Sequence, residues 1–289
     1  MQPLRKVISK LKLRASYGQV GNANLGGRRF AYLSTITDDY ETLNMYKWGL
    51  DSSYGLTGMA EGEFAVQDLT WEIVNKMNLG VELGFLNGMI DLQLDYFDER
   101  RKDIFMPRES VPMTAGFMKQ PWKNFGKVTN QGVEVSLNVN KQFGKDLFVS
   151  LMGTFTYAHN EITEKDEPSA VVGTNRAETG HPVGQLTGYI AEGLFTADDF
   201  EDVSTGKLKE GIPTQSFVGK LRPGDIRYRD VNGDGKVDVF DKSPIGGTKD
   251  PEIVYGFGLN MKYKDLDFGA LFQGIGRSWN ILGLSLIHI

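Results

Sequence analysis

The sequence predicts an all-β chain that forms part of a transmembrane antiparallel β-barrel with long loops, and three observations carry that expectation. Seven segments alternate apolar and polar residues with a period of two, the connections between them are alternately tight and long, and aromatic residues gather at the ends of the alternating runs. Period two is the signature of a strand, because successive side chains point to opposite faces. Short turns on one side and long loops on the other belong to barrels that cross a membrane, and aromatic girdles mark their two interfaces.

Taken in order, the first run sets Leu11, Leu13, Ala15 and Tyr17 against Lys12, Arg14 and Ser16. The second sets Leu79, Val81, Leu83 and Phe85 against Asn78, Gly80, Glu82 and Gly84, and the third Ile90, Leu92, Leu94 and Tyr96 against Asp91, Gln93 and Asp95. In the fourth, Val133, Val135, Leu137 and Val139 oppose Glu134, Ser136, Asn138 and Asn140. The fifth, 147–157, is weaker because Phe148 and Met152 interrupt its polar side, and the runs 255–263 and 266–272 form a final pair. Tyr17, Tyr96, Tyr157 and Tyr255 lie toward the loop ends, and Phe85, Phe143 and Tyr263 toward the turn ends.

Asn87-Gly88 is the sequence of a type I′ hairpin, since both central residues of that turn need positive φ. The stretch 142–145 and the pair Lys264-Asp265 are nearly as tight, whereas 20–70, 102–126 and 160–253 are long excursions rich in Gly, Asp, Pro and Thr. An extra extracellular hairpin is expected within 26–48. The chain has no cysteine, which excludes a disulfide scaffold and a thiolate metal site. Its net charge is −5 without a Lys/Arg block, so nucleic acid is not an expected partner. Nothing reads as a transmembrane helix or as a signal-peptide core, so a membrane role has to come from strands.

One acidic turn carries a candidate metal site. Asp230, Asn232, Asp234, Lys236 (through its carbonyl), Asp238 and Asp241 follow the ligand spacing of a calcium loop, with Gly235 at the sharp bend. Helices do not flank it, so the expectation is a structural Ca²⁺ ion stiffening a loop of a β protein; a plain hydrogen-bonded Asx turn is the alternative. Trp48, Tyr54, Trp122, Tyr189 and Phe195 are loop aromatics that could contact a substrate or simply pack. No catalytic pattern is present: His159 and His181 are isolated, and neighbouring carboxylates such as Asp98 and Glu99 would point to opposite faces of a strand. The charged run from Asp98 to Asp103 is expected where a strand leaves the membrane.

Four blocks in order resemble the SusC/RagA family of TonB-linked outer-membrane transporters, in the C-terminal part of its barrel. They are Leu11-Lys-Leu-Arg-Ala-Ser-Tyr-Gly-Gln-Val-Gly-Asn22, Trp71-Glu72 with Asn78-Leu-Gly-Val-Glu-Leu-Gly-Phe85, Gly180-His-Pro-Val-Gly184 with Gly188-Tyr-Ile-Ala-Glu-Gly-Leu-Phe195, and Gly224-Asp-Ile-Arg-Tyr-Arg-Asp-Val-Asn-Gly-Asp-Gly235. The resemblance implies about seven strands of a 22-stranded barrel, a SusD-like surface lipoprotein partner, energy coupling through the TonB complex, and uptake of glycans or peptides across the outer membrane of a Gram-negative bacterium. It implies no enzymatic activity. Seven membrane strands leave two unpaired edges, which lipid cannot satisfy, so residues 1–283 are expected to be a piece of a larger barrel. The final Leu284-Ser-Leu-Ile-His-Ile289 reads as sequencing-adapter sequence. The competing reading is a soluble, calcium-stabilised β-sandwich such as a carbohydrate-binding module.

Overall fold

A computed structural model describes residues 7–37, 46–48, 54–56, 60–117 and 119–281. The expected adapter tail, and the side chains of Trp48 and Tyr54, lie outside the described residues. One antiparallel sheet of seven strands dominates: β1 (Ile8–Asn22), β2 (Glu72–Phe85), β3 (Ile90–Pro107), β4 (Trp122–Phe143), β5 (Leu147–Glu164), β6 (Ile253–Tyr263) and β7 (Leu266–Gly276), each paired with the next in sequence. Among the described residues the sheet is open, with β1 and β7 paired on one side only.

The seven alternating runs are these seven strands, and their apolar faces align. Leu83, Leu92 and Leu137 share one cross-strand row, and Tyr96, Val133, Tyr157 and Ile253 another. The next outward row on that face is Asp98, Gln131 and His159, where the surface turns polar. At the turn side Phe143, Leu147, Tyr263 and Leu266 form a row. The apolar face is uncovered: Leu13 is 73 % exposed, Leu151 46 % and Phe257 53 %. A sandwich would need a second sheet about 10 Å above this face. Besides the main sheet, the described residues form only two-stranded ladders, so the sandwich architecture is corrected to a single one-sided sheet.

Tight and long connections alternate along the whole chain. Leu86, Asn87 and Gly88 take positive φ values of 51°, 56° and 83°, and the Met89 amide donates to the Leu86 carbonyl at 3.3 Å, closing the turn predicted there. The β6–β7 turn uses Lys264 at φ 52°. The turns are staggered: Ile90 faces Val139, so β4 runs on through four more positions to Phe143 before turning, whereas the turns ending at Leu147 and Tyr263 are level. β1 runs to Asn22, three residues into the expected loop, and three other strands outrun the expectation further. β3 reaches Pro107, β4 begins at Trp122 and β5 reaches Glu164, so residues 102–107, 122–126 and 160–164 are strand rather than loop. Register shifts at Arg101/Ile104, Ile104/Phe105 and Lys127/Val128 explain the difference, because each shift breaks the two-residue period.

The first long connection carries a short ladder pairing Tyr46–Trp48 with Tyr54–Leu56, whose second strand lies beyond the 26–48 region in which a hairpin was expected. The third folds as a small unit of its own. Phe195, Phe200, Leu208 and Leu221 are its buried core, with Ile212 and Val218 packed against it. Two-residue to four-residue ladders, one of them the parallel pair Thr214–Gln215 with Lys236–Val237, tie it together.

Candidate functional site

The opposite face of the sheet is polar and salt-bridged. Arg14 on β1 reaches across β2 to β3, its Nη2 donating to both carboxylate oxygens of Asp95 at 2.9 Å. Register places Gly80 between them, and a Cβ there would lie 2.4 Å from Asp95 Oδ1 and 3.1 Å from Arg14 Nε and Nη2. The glycine is therefore what lets the guanidinium cross a strand. Glu82 gathers Lys10, Lys12 and Arg14 at 2.9, 3.2 and 3.1 Å.

At the loop end this face becomes a cleft of about 670 Å³. Its floor is the polar-face residues of the strand extensions, where Glu99, Asn130 and Asn160 form one row and Arg101, Val128 and Ile162 the next. Its roof is the long third connection, zipped onto β5. The Ile162 amide donates to the His181 carbonyl at 2.9 Å and the Gly180 amide to the Ile162 carbonyl at 2.8 Å, while the Val183 amide donates to Asn160 Oδ1 at 2.8 Å. Glu99, Arg101, Lys127, Glu164, Lys165, Glu178, Asp250 and Glu252 line the cleft, and most of them pair with an opposite charge in or beside it. Lys76 meets Glu99 at 2.7 Å, Arg101 meets Glu72 at 3.0 Å, Lys127 pairs with Glu164, and Lys165 meets Glu178 at 2.7 Å and Glu109 at 3.7 Å.

Two buried or half-buried carboxylates fasten the rim. Asp166 accepts from Arg108 Nε at 2.9 Å and from the Ser110 hydroxyl at 2.8 Å, joining the 108–121 loop to the start of the third connection. Burial pushes the Asp166 carboxyl up, but the Arg108 guanidinium and Ser110 outweigh it and hold it below the ordinary carboxylate range. Glu252 lies 2.6 Å from His159 Nδ1 and accepts from Arg277 Nη1 at 3.1 Å.

The charged run 98–103 splits as the strand period requires: Glu99 and Arg101 face the cleft, and Asp98 and Arg100 pair with each other on the outer face. The sequence placed this run at the membrane exit and did not single out its cleft-facing half; Arg101, Lys127 and Lys165 are cleft residues that it missed. The available signal was that Glu99 and Arg101, two positions apart and therefore on one face of a strand, carry opposite charges. Of the loop aromatics, Phe195 is 2 % exposed and belongs to the core of the loop unit, so it is corrected from a candidate contact to a packing residue. Trp122 packs against Phe105 and beneath the Arg28 guanidinium, 4.1 Å from its ring centroid. Tyr189 stacks on Phe217 at 4.5 Å and meets the tilted ring of Tyr228 at 5.5 Å, away from the cleft.

The acidic turn directs its oxygens at its own amides. Asp230 accepts from the Gly233 and Gly235 amides at 2.7 Å each, Asn232 Oδ1 from the Asp234 amide at 2.9 Å, and Asp234 Oδ1 from the Lys236 amide at 2.9 Å. Asp238 accepts from the Phe240 amide at 2.8 Å. Asp241 is fully buried and accepts from the Val231, Asn232 and Asp238 amides at 2.8, 3.2 and 2.7 Å. Among the described residues, no three His, Asp or Glu side chains are gathered to hold a metal ion. In this arrangement the turn is closed by Asx-type hydrogen bonds.

The comparisons with known proteins agree with this architecture. The family model described as "TonB dependent receptor-like, beta-barrel" matches residues 4–269. TonB-dependent receptor P3 of Formosa agariphila is 25 % identical over 98 % of this chain and 27 % of its own length, and TonB-dependent receptor SusC of Bacteroides thetaiotaomicron is 29 % identical over 91 % and 24 %. The chain thus spans about a quarter of the length of the curated relatives it matches. Among solved structures, the RagAB peptide importer in its "open-open" state shares the fold with a TM-score of 0.64 at 22 % identity, over 95 % of this chain and 27 % of that one. The one-sided sheet, the alternation of turns and loops and the family match converge: the chain belongs to the TonB-dependent receptor β-barrel family, as the resemblance to SusC/RagA implied.

Proposed function

We propose that this chain forms part of the barrel wall of an outer-membrane, TonB-dependent nutrient importer, with the apolar face in lipid, the polar face toward the lumen and the long connections outside the cell. The observation that carries this reading is the exposed apolar face itself. A band bounded by Tyr96, Val133 and Tyr157 at the loop side and by Phe143 and Tyr263 at the turn side is stable only against an apolar medium. From Ile253 to Tyr263, β6 has the span of about 9–11 residues that a tilted strand needs to cross the hydrocarbon. A SusD-like lipoprotein seated over the loops, and coupling to TonB through another part of the receptor, complete the proposal, with a glycan or peptide as cargo.

Leu92→Arg tests it, since the side chain sits in the row of Leu83 and Leu137 well inside the band. In lipid the change costs about 2–4 kcal/mol near the midplane. The intact receptor should assemble poorly, read as loss of heat-modifiable migration in outer-membrane fractions. Normal assembly of Leu92→Arg beside failed assembly of a polar-face control, Gln93→Leu, would reverse the assignment of faces.

A structural calcium ion in the acidic turn is a separate proposal, supported by the ligand spacing alone. An ion would have to draw Asp230, Asn232 and Asp234 from their amide donors. Calorimetric titration with calcium decides it: a saturable heat that Asp234→Ala abolishes supports the ion, and no heat in either protein leaves the turn held by hydrogen bonds only.

A further inference from the structure

We propose that the outward, apolar face carries a site for one zwitterionic lipid with a phosphoethanolamine head, at the line where the apolar band gives way to polar residues. The inference rests on the assignment of that face to lipid and names a lipid that it holds. A groove of about 290 Å³ lies there, following β4 between β3 and β5. At its turn-side end Val133 is flanked in one row by the larger rings of Tyr96 and Tyr157. With strands about 4.8 Å apart, the backbones carrying the two tyrosines are about 10 Å apart, which leaves a slot over the valine for an acyl chain. The next row toward the turns, Leu94, Val135 and Phe155, continues the apolar surface beneath such a chain.

The other end of the groove is polar and carries both signs of charge. Gln131 and His159 form the row beyond the tyrosines, and Thr129 and Glu161 the row after that. Arg100 on β3 is the other neighbour of Thr129, so a guanidinium and a carboxylate flank one threonine. The nearly buried Asp98 carboxylate fixes one edge of that guanidinium, accepting from Nε and Nη2 at 3.1 Å each, while the Arg100 side chain is 69 % exposed. A phosphate can accept from the other edge. Along β4 the order Thr129, Gln131, Val133 then repeats the order of a phospholipid: charged head between Arg100 and Glu161, ester oxygens at the Gln131 amide, chain over Val133. Glu161 selects the head, because it attracts an ammonium and repels a purely anionic group. A phosphocholine head has the same charges but no N–H to donate to that carboxylate.

Native mass spectrometry of the intact receptor in detergent tests this, after titration with phosphatidylethanolamine, phosphatidylglycerol, phosphatidylcholine or lipid A. The expected result is one tightly retained phosphatidylethanolamine, held about tenfold more strongly than any of the other three. Glu161→Gln should erase its advantage over phosphatidylglycerol, and Val133→Trp, which fills the slot between the two tyrosines, should remove the retained lipid. Heat-modifiable migration confirms that each variant is folded. Equal retention of the four lipids, a preference for one of the other three, or a phosphatidylethanolamine preference that survives either variant overturns the inference. Normal assembly of Leu92→Arg beside failure of Gln93→Leu would overturn the assignment of faces on which the site rests, whereas a receptor with the faces confirmed and no lipid preference would overturn the lipid site alone.

Discussion

Gly80→Ala is the smallest perturbation that tests how the polar face is built. The added methyl would sit 2.4 Å from Asp95 Oδ1, well inside van der Waals contact, and 3.1 Å from two guanidinium nitrogens of Arg14. Nothing in the backbone blocks it, so the side chains give way and the two 2.9 Å bonds between Arg14 and Asp95 are lost. Asp95 is only 7 % exposed and keeps the Gln93 amide at 2.9 Å, so the carboxylate is left partly satisfied. Losing the charge-assisted contact costs about 1.5–3 kcal/mol, and replacing a strand glycine by alanine returns about 0.5–1 kcal/mol, for a net destabilisation of roughly 1–2 kcal/mol. Gly153→Ala is the control, since its methyl would meet nothing closer than Leu137 Cβ at 4.0 Å, and it should be neutral or slightly stabilising. Urea unfolding of the intact receptor in detergent measures both. The decisive comparison is Gly80→Ala in an Arg14→Ala/Asp95→Ala background, where its cost should vanish; an unchanged cost there refutes the argument that the glycine exists to let the ion pair cross the strand.

Asp241→Ala should cost about 2–4 kcal/mol in the loop unit, because three amides lose their acceptor in a fully buried position, and hydrogen exchange at Val231 and Asn232 would report it. Asp234→Ala, on an exposed stretch of the same turn, should cost well under half of that. The Asp166 latch should depend on acid: its folded-state pKa is depressed, so its contribution is fully present above the unfolded-state value and is lost as pH falls through the lower folded value. Limited proteolysis of the 108–121 loop should thus accelerate only in acid, below the ordinary carboxylate range. Arg108→Ala should raise the neutral-pH cleavage rate and flatten that dependence. Tyr255→Ala should destabilise the β6–β7 edge by about 1 kcal/mol, since the ring covers Gly274, where a Cβ would lie 2.3 Å from Tyr255 Cζ.

The strands were legible because one face of each is apolar and the other polar, and a two-residue period survives any uncertainty about length. The strand extensions were hidden where a register shift puts residues out of phase, as at Arg101 to Phe105. The loop unit was hidden for a different reason. Its ladders are mostly two to four residues long, too short for periodicity, and its core of Phe195, Phe200, Leu208 and Leu221 comes from positions scattered over a Gly-rich stretch. The cleft could not be read because it depends on register: Glu99, Asn130 and Asn160 are far apart in sequence, and only the pairing of β3, β4 and β5 brings them into one row. The acidic turn shows the converse, since closely spaced Asp, Asn and Gly residues satisfy a cation's spacing and a self-capped turn equally well.

The stagger of the turns fixes the inclination of the wall. Four residues of offset between the β2–β3 and β6–β7 turns, four strands apart, amount to about 13 Å of rise over about 19 Å of width, a tilt of roughly 35° if the turns lie in one plane. Each inclined strand then occupies about 5.9 Å of circumference, and seven occupy about 41 Å. The 22-stranded closure implied by the family resemblance would measure about 130 Å around and about 41 Å across between backbones, so this chain would be just under a third of the wall. A passenger in so wide a lumen would touch the cleft from one side, and the residues opposing it would come from strands and loops elsewhere in the barrel.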